Sequence, residues 1–138
     1  MSTLNVDALV GNTSANAITV RGEGTATTSL QQGLIKQWVN LDGTVTFNVN
    51  NDEIRDSFNT GSTTDSGGGD VTAFFISAMA NTNYGNAGEG GTGGAGTSHM
   101  FLCGHTKATA SVRVSNLSDG GGAGDRNIHC FITYGDLA

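Results

Sequence analysis

The sequence predicts an all-β protein: an antiparallel β-sandwich or jelly-roll-like domain with an extended N-terminal arm. Three observations predict it. The 138 residues are one domain's worth, and Gly, Thr, Asn and Ser supply close to half of them, with 22 Gly and no Pro. Charged residues are 13% of the chain, about half the usual share, so the core must be thin and the surface polar rather than ionic. Short apolar alternations recur between glycine- and asparagine-rich turns, the period of half-buried strands. A helical bundle would need far more Ala, Leu, Glu and Lys, and a collagen-like chain a Gly-X-Y period with proline.

Taken in order, Leu4, Val6, Ala8 and Val10 alternate with polar neighbours and predict a strand over residues 3–10. Ala17 to Arg21 predicts a second short strand, ended by Gly22-Glu23-Gly24. Leu30, Leu34, Ile35 and Trp38 have a helical spacing that Gly33 interrupts, which predicts one helical turn over 28–33 and a strand from Leu34. Asp42-Gly43 predicts a hairpin turn into an alternating strand of Val45, Phe47 and Val49. Short strands are expected at Glu53 to Phe58 and Val71 to Met79, the latter apolar on both faces. Residues 85–98 are glycine-rich with few side chains to bury and predict a long loop. The last strands are expected at His99 to Cys103, Thr106 to Asn116 and Asn127 to Tyr134, with a second glycine loop at 119–125. The predicted organisation is an arm over 1–33 and a β body over 34–138. Trp38, Phe47, Phe58, Phe74 or Phe75, and Phe131 are the expected core aromatics.

Composition excludes several function classes. The net charge is −6, and the six fixed cations, Arg21, Lys36, Arg55, Lys107, Arg113 and Arg126, are scattered, so no nucleic-acid partner is expected. No apolar run approaches membrane-spanning length, so no membrane insertion is expected, and Met1 to Val6 lack the basic and apolar regions of a secretion signal. Cys103 and Cys130 then read as two free thiols.

Gly88/Gly90/Gly93 and Gly91/Gly93/Gly96 match a dinucleotide-binding pattern. A strand rather than a helix is predicted after them, so no helix N-terminus would meet a pyrophosphate and no cofactor is expected. His99, Cys103 and His105 share a strand parity, but His129 and Cys130 point to opposite faces, so no metal set is complete. Asp52-Glu53 and Asp119 to Asp125 read as solvated turns, not calcium loops. No nucleophile elbow or paired carboxylates stand out, so no catalytic, cofactor-binding or metal residues are expected.

One resemblance covers most of the chain. Lys36-Gln37-Trp38-Val39-Asn40-Leu41-Asp42-Gly43, followed by Ile54-Arg55-Asp56-Ser57-Phe58-Asn59, Thr64-Asp65-Ser66-Gly67-Gly68-Gly69-Asp70 and Ala78-Met79-Ala80-Asn81-Thr82-Asn83-Tyr84, resembles a module of small tail-fibre and other virion surface proteins of marine tailed bacteriophages. Arg55 to Asn59 is its most specific string. Ser2 to Asp7 with Ile18 to Gly24 resembles their attachment end, and Asn127 to Asp136 their closing strand; Val45 to Asn51 and residues 85–98 depart from the pattern. The resemblance implies a non-enzymatic homotrimer in the virion, assembled in the host cytoplasm. It implies an N-terminal arm docked on other virion proteins of tail or capsid, and outward loops that meet a host surface glycan or receptor. A capsid decoration or head-fibre protein is the alternative it allows.

Overall fold

The computed structural model describes residues 6–10, 18–21, 25, 27–92, 100–118 and 122–138. The chain divides into two compact units, Met1–Leu34 and Ile35–Ala138. In the first, β1 (Thr19–Arg21) pairs antiparallel with β2 (Thr27–Ser29), and α1 (Leu30–Gly33) follows as a single turn. The Leu30 amide donates to the Ile18 carbonyl at 2.8 Å, fixing the start of that turn on β1. Gly33 ends it as expected, but the turn expected over 28–33 starts only at Leu30, because 27–29 pair with β1, and the next strand opens one residue later than predicted. Of the strand expected at 3–10, residues 6–10 form none, and residues 1–5 lie outside the described residues.

The second unit is one eight-stranded sheet built from β3 (Ile35–Leu41), β4 (Ile54–Phe58), β5 (Thr60–Gly67), β6 (Asp70–Phe75), β7 (Gly85–Gly91), β8 (Met100–Lys107), β9 (Ser111–Ser118) and β10 (Ile128–Tyr134). Their order is β4-β3-β10-β7-β8-β9-β6-β5, and every pair is antiparallel. The fold is therefore all-β and sandwich-like, as expected, and β6-β9-β8-β7 has the strand order of a Greek key.

The two ends of this sheet, β4 and β5, are consecutive in the chain and separated only by Asn59. The sheet must therefore curl until its ends adjoin. Asn59 takes the left-handed conformation (φ 54°) that Asn tolerates better than most residues. Its amide nitrogen donates to the carbonyls of Lys36 (2.9 Å) and Ser77 (3.0 Å), and its side-chain oxygen accepts the Ser77 N–H (2.6 Å). Behind it, a buried ladder links three strands: Thr133 Oγ1 donates to Gln37 Oε1 (2.8 Å), and Gln37 Nε2 donates to Thr60 Oγ1 (2.9 Å).

Val39, Leu41, Val71, Ala73, Val112, Val114 and Phe131 form the core between the two halves of the curled sheet, with Met79 and Tyr84 closing one end. Tyr84 donates to the carbonyls of Ala108 and Ser111, and its ring meets Phe75 edge-on at 5.9 Å. The core is largely aliphatic. Of the expected aromatic set only Phe131 is fully buried; Phe47 and Phe75 pack at the margin, Trp38 is half-buried, and Phe58 and Phe74 are exposed. Parity explains this: Gln37, Val39 and Leu41 point inward, so Trp38 between them points outward.

Four further expectations are corrected. Residues 44–49 form no strand, because Asp42 and Asn48 side chains capture nearby amides, Thr44 N–H at 3.0 Å and Asn50 N–H at 2.8 Å, and hold the segment as a loop. Residues 85–91 are a strand, not a loop. A Cβ at Gly85 would overlap the Tyr134 ring, and one at Gly90 the Asn116 side chain, so glycine is what lets β7 lie between its neighbours. The strand expected over 106–116 is broken by a turn at 108–110, and the one over 71–79 ends at Phe75.

Replacing Asn59 tests the corner. Asn59→Ala should cost about 2–4 kcal/mol, from three lost side-chain hydrogen bonds and a left-handed alanine, and Asn59→Gly distinctly less. Urea unfolding of both variants measures it; equal costs would show that backbone conformation plays no part.

Candidate assembly face

The strand pairs that bury one face of β4-β3-β10-β7 also decide what the other face carries. In register, Phe58 lies opposite Trp38, Trp38 opposite Ile132, and Ile132 opposite Ala87. Directly opposed residues share a face, so these four side chains form one row across four strands. Val39 and Phe131, their chain neighbours, are buried on the inner face, so the row points outward. Phe58 is 52% exposed, and Trp38 and Ile132 are half-buried. Beside this row Tyr134 lies between Ile35 and Gly85, with Ile35 and Tyr134 each 47% exposed. A β-bulge at Lys36, where Thr133 pairs with Gln37 but Tyr134 with Ile35, keeps that pair on the same side.

The other half of the sheet differs. On β5-β6-β9-β8 the corresponding outward row is Thr64, Thr72, Arg113 and Thr106. There Arg113 pairs with Asp70, which also accepts the Ser115 hydroxyl. The outward row of this half is thus polar, with Phe74 exposed beside it, whereas the row across β4-β3-β10-β7 is apolar and aromatic.

The apolar face has a polar margin. Its next row is Asp56, Asn40, Cys130 and Glu89. Cys130 is a free thiol; burial, and next the Glu89 charge, push its pKa up, which keeps it protonated and unreactive. At the end of β4, Arg55 pairs with Asp42 at 2.7 Å and donates to the carbonyls of Leu41 and Asn127. The Thr44 hydroxyl, donating to Asp42 at 2.6 Å, holds that carboxyl below its usual range, and Arg55 adds to the effect.

The residues singled out for metal or cofactor chemistry are dispersed. His99 lies outside the described residues, as do the side chains of Cys103 and His105. His129 is fully buried on the inner face, opposite in direction to Cys130. No cluster of three or more metal-ligating side chains occurs among the described residues. Asp125 instead accepts the Gly69 amide at 2.7 Å, Asp52 accepts the Asn48 amide at 2.9 Å, and Glu53 is buried against the Thr63 hydroxyl. Gly88, Gly90 and Gly91 are strand residues of β7 paired with β10; Gly93 and Gly96 lie outside the described residues. The apolar row was not visible in sequence, because it depends on which strands pair. No family model, no curated protein and no solved structure matches the chain.

His129 makes stability depend on pH. Its Nε2 lies 3.1 Å from the Asn116 amide nitrogen, and its Nδ1 is buried without a hydrogen-bond partner. Burial lowers its pKa below 6.5, against the opposing pull of the Asp125 and Asp42 charges. The unfolded state then takes up the proton first, so the contribution is complete above pH 6.5 and is lost as pH falls from there toward the lowered folded value. Stability should fall by up to about 1.4 kcal/mol per pH unit in that window. His129→Gln should flatten the slope in a pH series of urea titrations; an unchanged slope would assign it to the carboxylates.

Proposed function

We propose that this chain is a non-enzymatic structural protein of a bacteriophage virion, a tail-fibre-like module that works as a homotrimer. The observation that carries the proposal is the outward row of Phe58, Trp38 and Ile132 with Ile35 and Tyr134 beside it. An aromatic sheet face on a chain with so few large apolar side chains is a free-energy cost for a monomer and a gain for an assembly. The outward row of the other half supplies the contrast, because its threonines and its Arg113–Asp70 pair need no apolar cover. A contact between this face and a neighbouring copy closes a ring after three copies when the rotation between them is a third of a turn. The resemblance centred on Arg55 to Asn59 supports the choice of three and the virion setting, since the same string forms β4 and the corner at Asn59.

In this reading residues 1–33 anchor the module. The described part of that unit is small, a three-residue strand pair and one helical turn, with Val6, Leu9, Val10 and Val20 exposed. Such a segment buries little alone and gains by docking on another virion protein of tail or capsid.

Two measurements test this. Sedimentation at micromolar concentration should give three times the 14.0 kDa of one chain, and Phe58→Glu should give the single-chain mass with an unchanged far-UV spectrum. A wild-type monomer that melts cooperatively would overturn the proposal. Deleting residues 1–24 should leave folding and trimer mass intact while abolishing incorporation into particles. Unfolding or aggregation of the truncated chain would assign the arm to the body instead. Cryo-electron microscopy of the particles locates the protein, and density on the head would assign the decoration role.

A further inference from the structure

The loop that joins β3 to β4 folds beside β5 and encloses an open cavity of about 490 Å3. Phe47, Asn48, Val49 and Asn51 of the loop face Thr64 and Asp65 of the strand across it. Its volume is within the roughly 300–1,000 Å3 of small-molecule sites.

The loop wall is held in place by its own bonds. Asn48 accepts the Asn50 amide and donates to Asp52, the Asn51 amide donates to the Asn48 carbonyl at 3.1 Å, and Ile54 closes on Asn51 at 2.9 Å. Asn51 sits in the left-handed region (φ 55°), and its side-chain oxygen receives the Thr63 amide of β5. Below, Glu53 is fully buried, with one carboxylate oxygen on the Thr63 hydroxyl. A site whose walls are already ordered binds without the entropic cost of ordering them.

The lining selects among ligand classes. No Lys or Arg lines the cavity, while the exposed Asp65 does, so an anion meets a carboxylate with no counterion. A metal ion would find no cluster of three or more ligating side chains among the described residues. A wholly apolar ligand would strip water from hydroxyls, amides and a carboxylate without replacing the hydrogen bonds. The ligand class that uses both the apolar and the hydrogen-bonding walls is a neutral molecule with an apolar face and a hydroxylated edge. Phe47 and Val49, the latter 97% exposed, supply the apolar contact, and Thr64, Asp65 and the asparagines supply donors and acceptors.

We propose that this cavity binds a neutral saccharide, with its C–H face on Phe47 and Val49 and its hydroxyls on Thr64 and Asp65. The biological meaning of the proposal rests on the virion reading above, to which it adds a ligand class; the binding itself does not require the trimer.

The test uses the full chain labelled for amide NMR, with millimolar methyl glycosides of glucose, galactose, mannose and N-acetylglucosamine as probes and sialyllactose as the acidic comparator. At least one neutral glycoside should shift the amides of residues 47–51 and 62–65. Thr64→Arg, an exposed position on the edge strand, should weaken that binding at least tenfold with the unfolding temperature unchanged. Should Thr64→Arg disturb the fold, Asp65→Asn, which keeps the oxygen that receives the Gly67 amide, should still weaken binding. The proposal is overturned if none of the four glycosides shifts these amides, if the shifts map elsewhere, if sialyllactose alone binds, or if neither variant weakens binding. The mass measured by sedimentation is a separate readout, so failure of either reading leaves the other standing.

Discussion

The structure depends on one corner. At Asn59 a strand leaves one end of the sheet and continues as the strand at its opposite end, so a single residue sets how far the sheet curls. Asn is suited to the task because it accepts a left-handed backbone and has a side chain that both donates and accepts. Its three bonds reach Lys36 at the start of β3 and Ser77 just past β6, so both ends of the sheet are tied where they meet. The Gln37 ladder lies directly behind it and bridges β10, β3 and β5. Closure achieved by polar bonds is costly to leave unsatisfied, and that makes the curled form specific as well as stable.

This closure suits a chain with few large side chains. The core is mostly Val, Ala and Leu, with Phe131 as the fully buried phenylalanine among the described side chains. Buried polar groups, among them Gln37, Thr133, Asn116 and His129, fill positions that a larger core would give to aliphatics. Glycines in β7 let the strand approach Tyr134 and Asn116 without steric conflict. The aromatic residues that do not fit the thin interior are on the outer face, where another copy of the chain can bury them.

Much of the fold was legible, for identifiable reasons. β10 alternates cleanly and β3 does so from Gln37 to Leu41, and the Gly33 stop was readable because glycine interrupts a helical pattern of Leu and Ile. β7 was hidden, since a strand of Gly, Asn and Ala has no apolar alternation and is defined only by its neighbours. Residues 44–49 showed the opposite fault: Val45, Phe47 and Val49 alternate, but Asp42 and Asn48 bond to the local backbone and prevent pairing. Aromatic size misled the core assignment, because Trp38 and Phe58 have outward parity while the smaller Val39 and Leu41 point in. The outer row needed the register of four strands from three distant parts of the chain, which no local pattern contains. Arg55 to Asn59 was noticed as a specific string, and the structure gives that string a physical role, an edge strand pinned by Arg55 at one end and the corner by Asn59 at the other.

The central claim, that copies of the chain cover the outer face, is read most directly by its single tryptophan. Trp38 lies in the middle of the row, so acrylamide quenching of its fluorescence reports whether the face is covered. The account predicts weak quenching at micromolar concentration, and stronger quenching on dilution or in Phe58→Glu, with the far-UV spectrum unchanged. Equal quenching at every concentration and in the variant would contradict it.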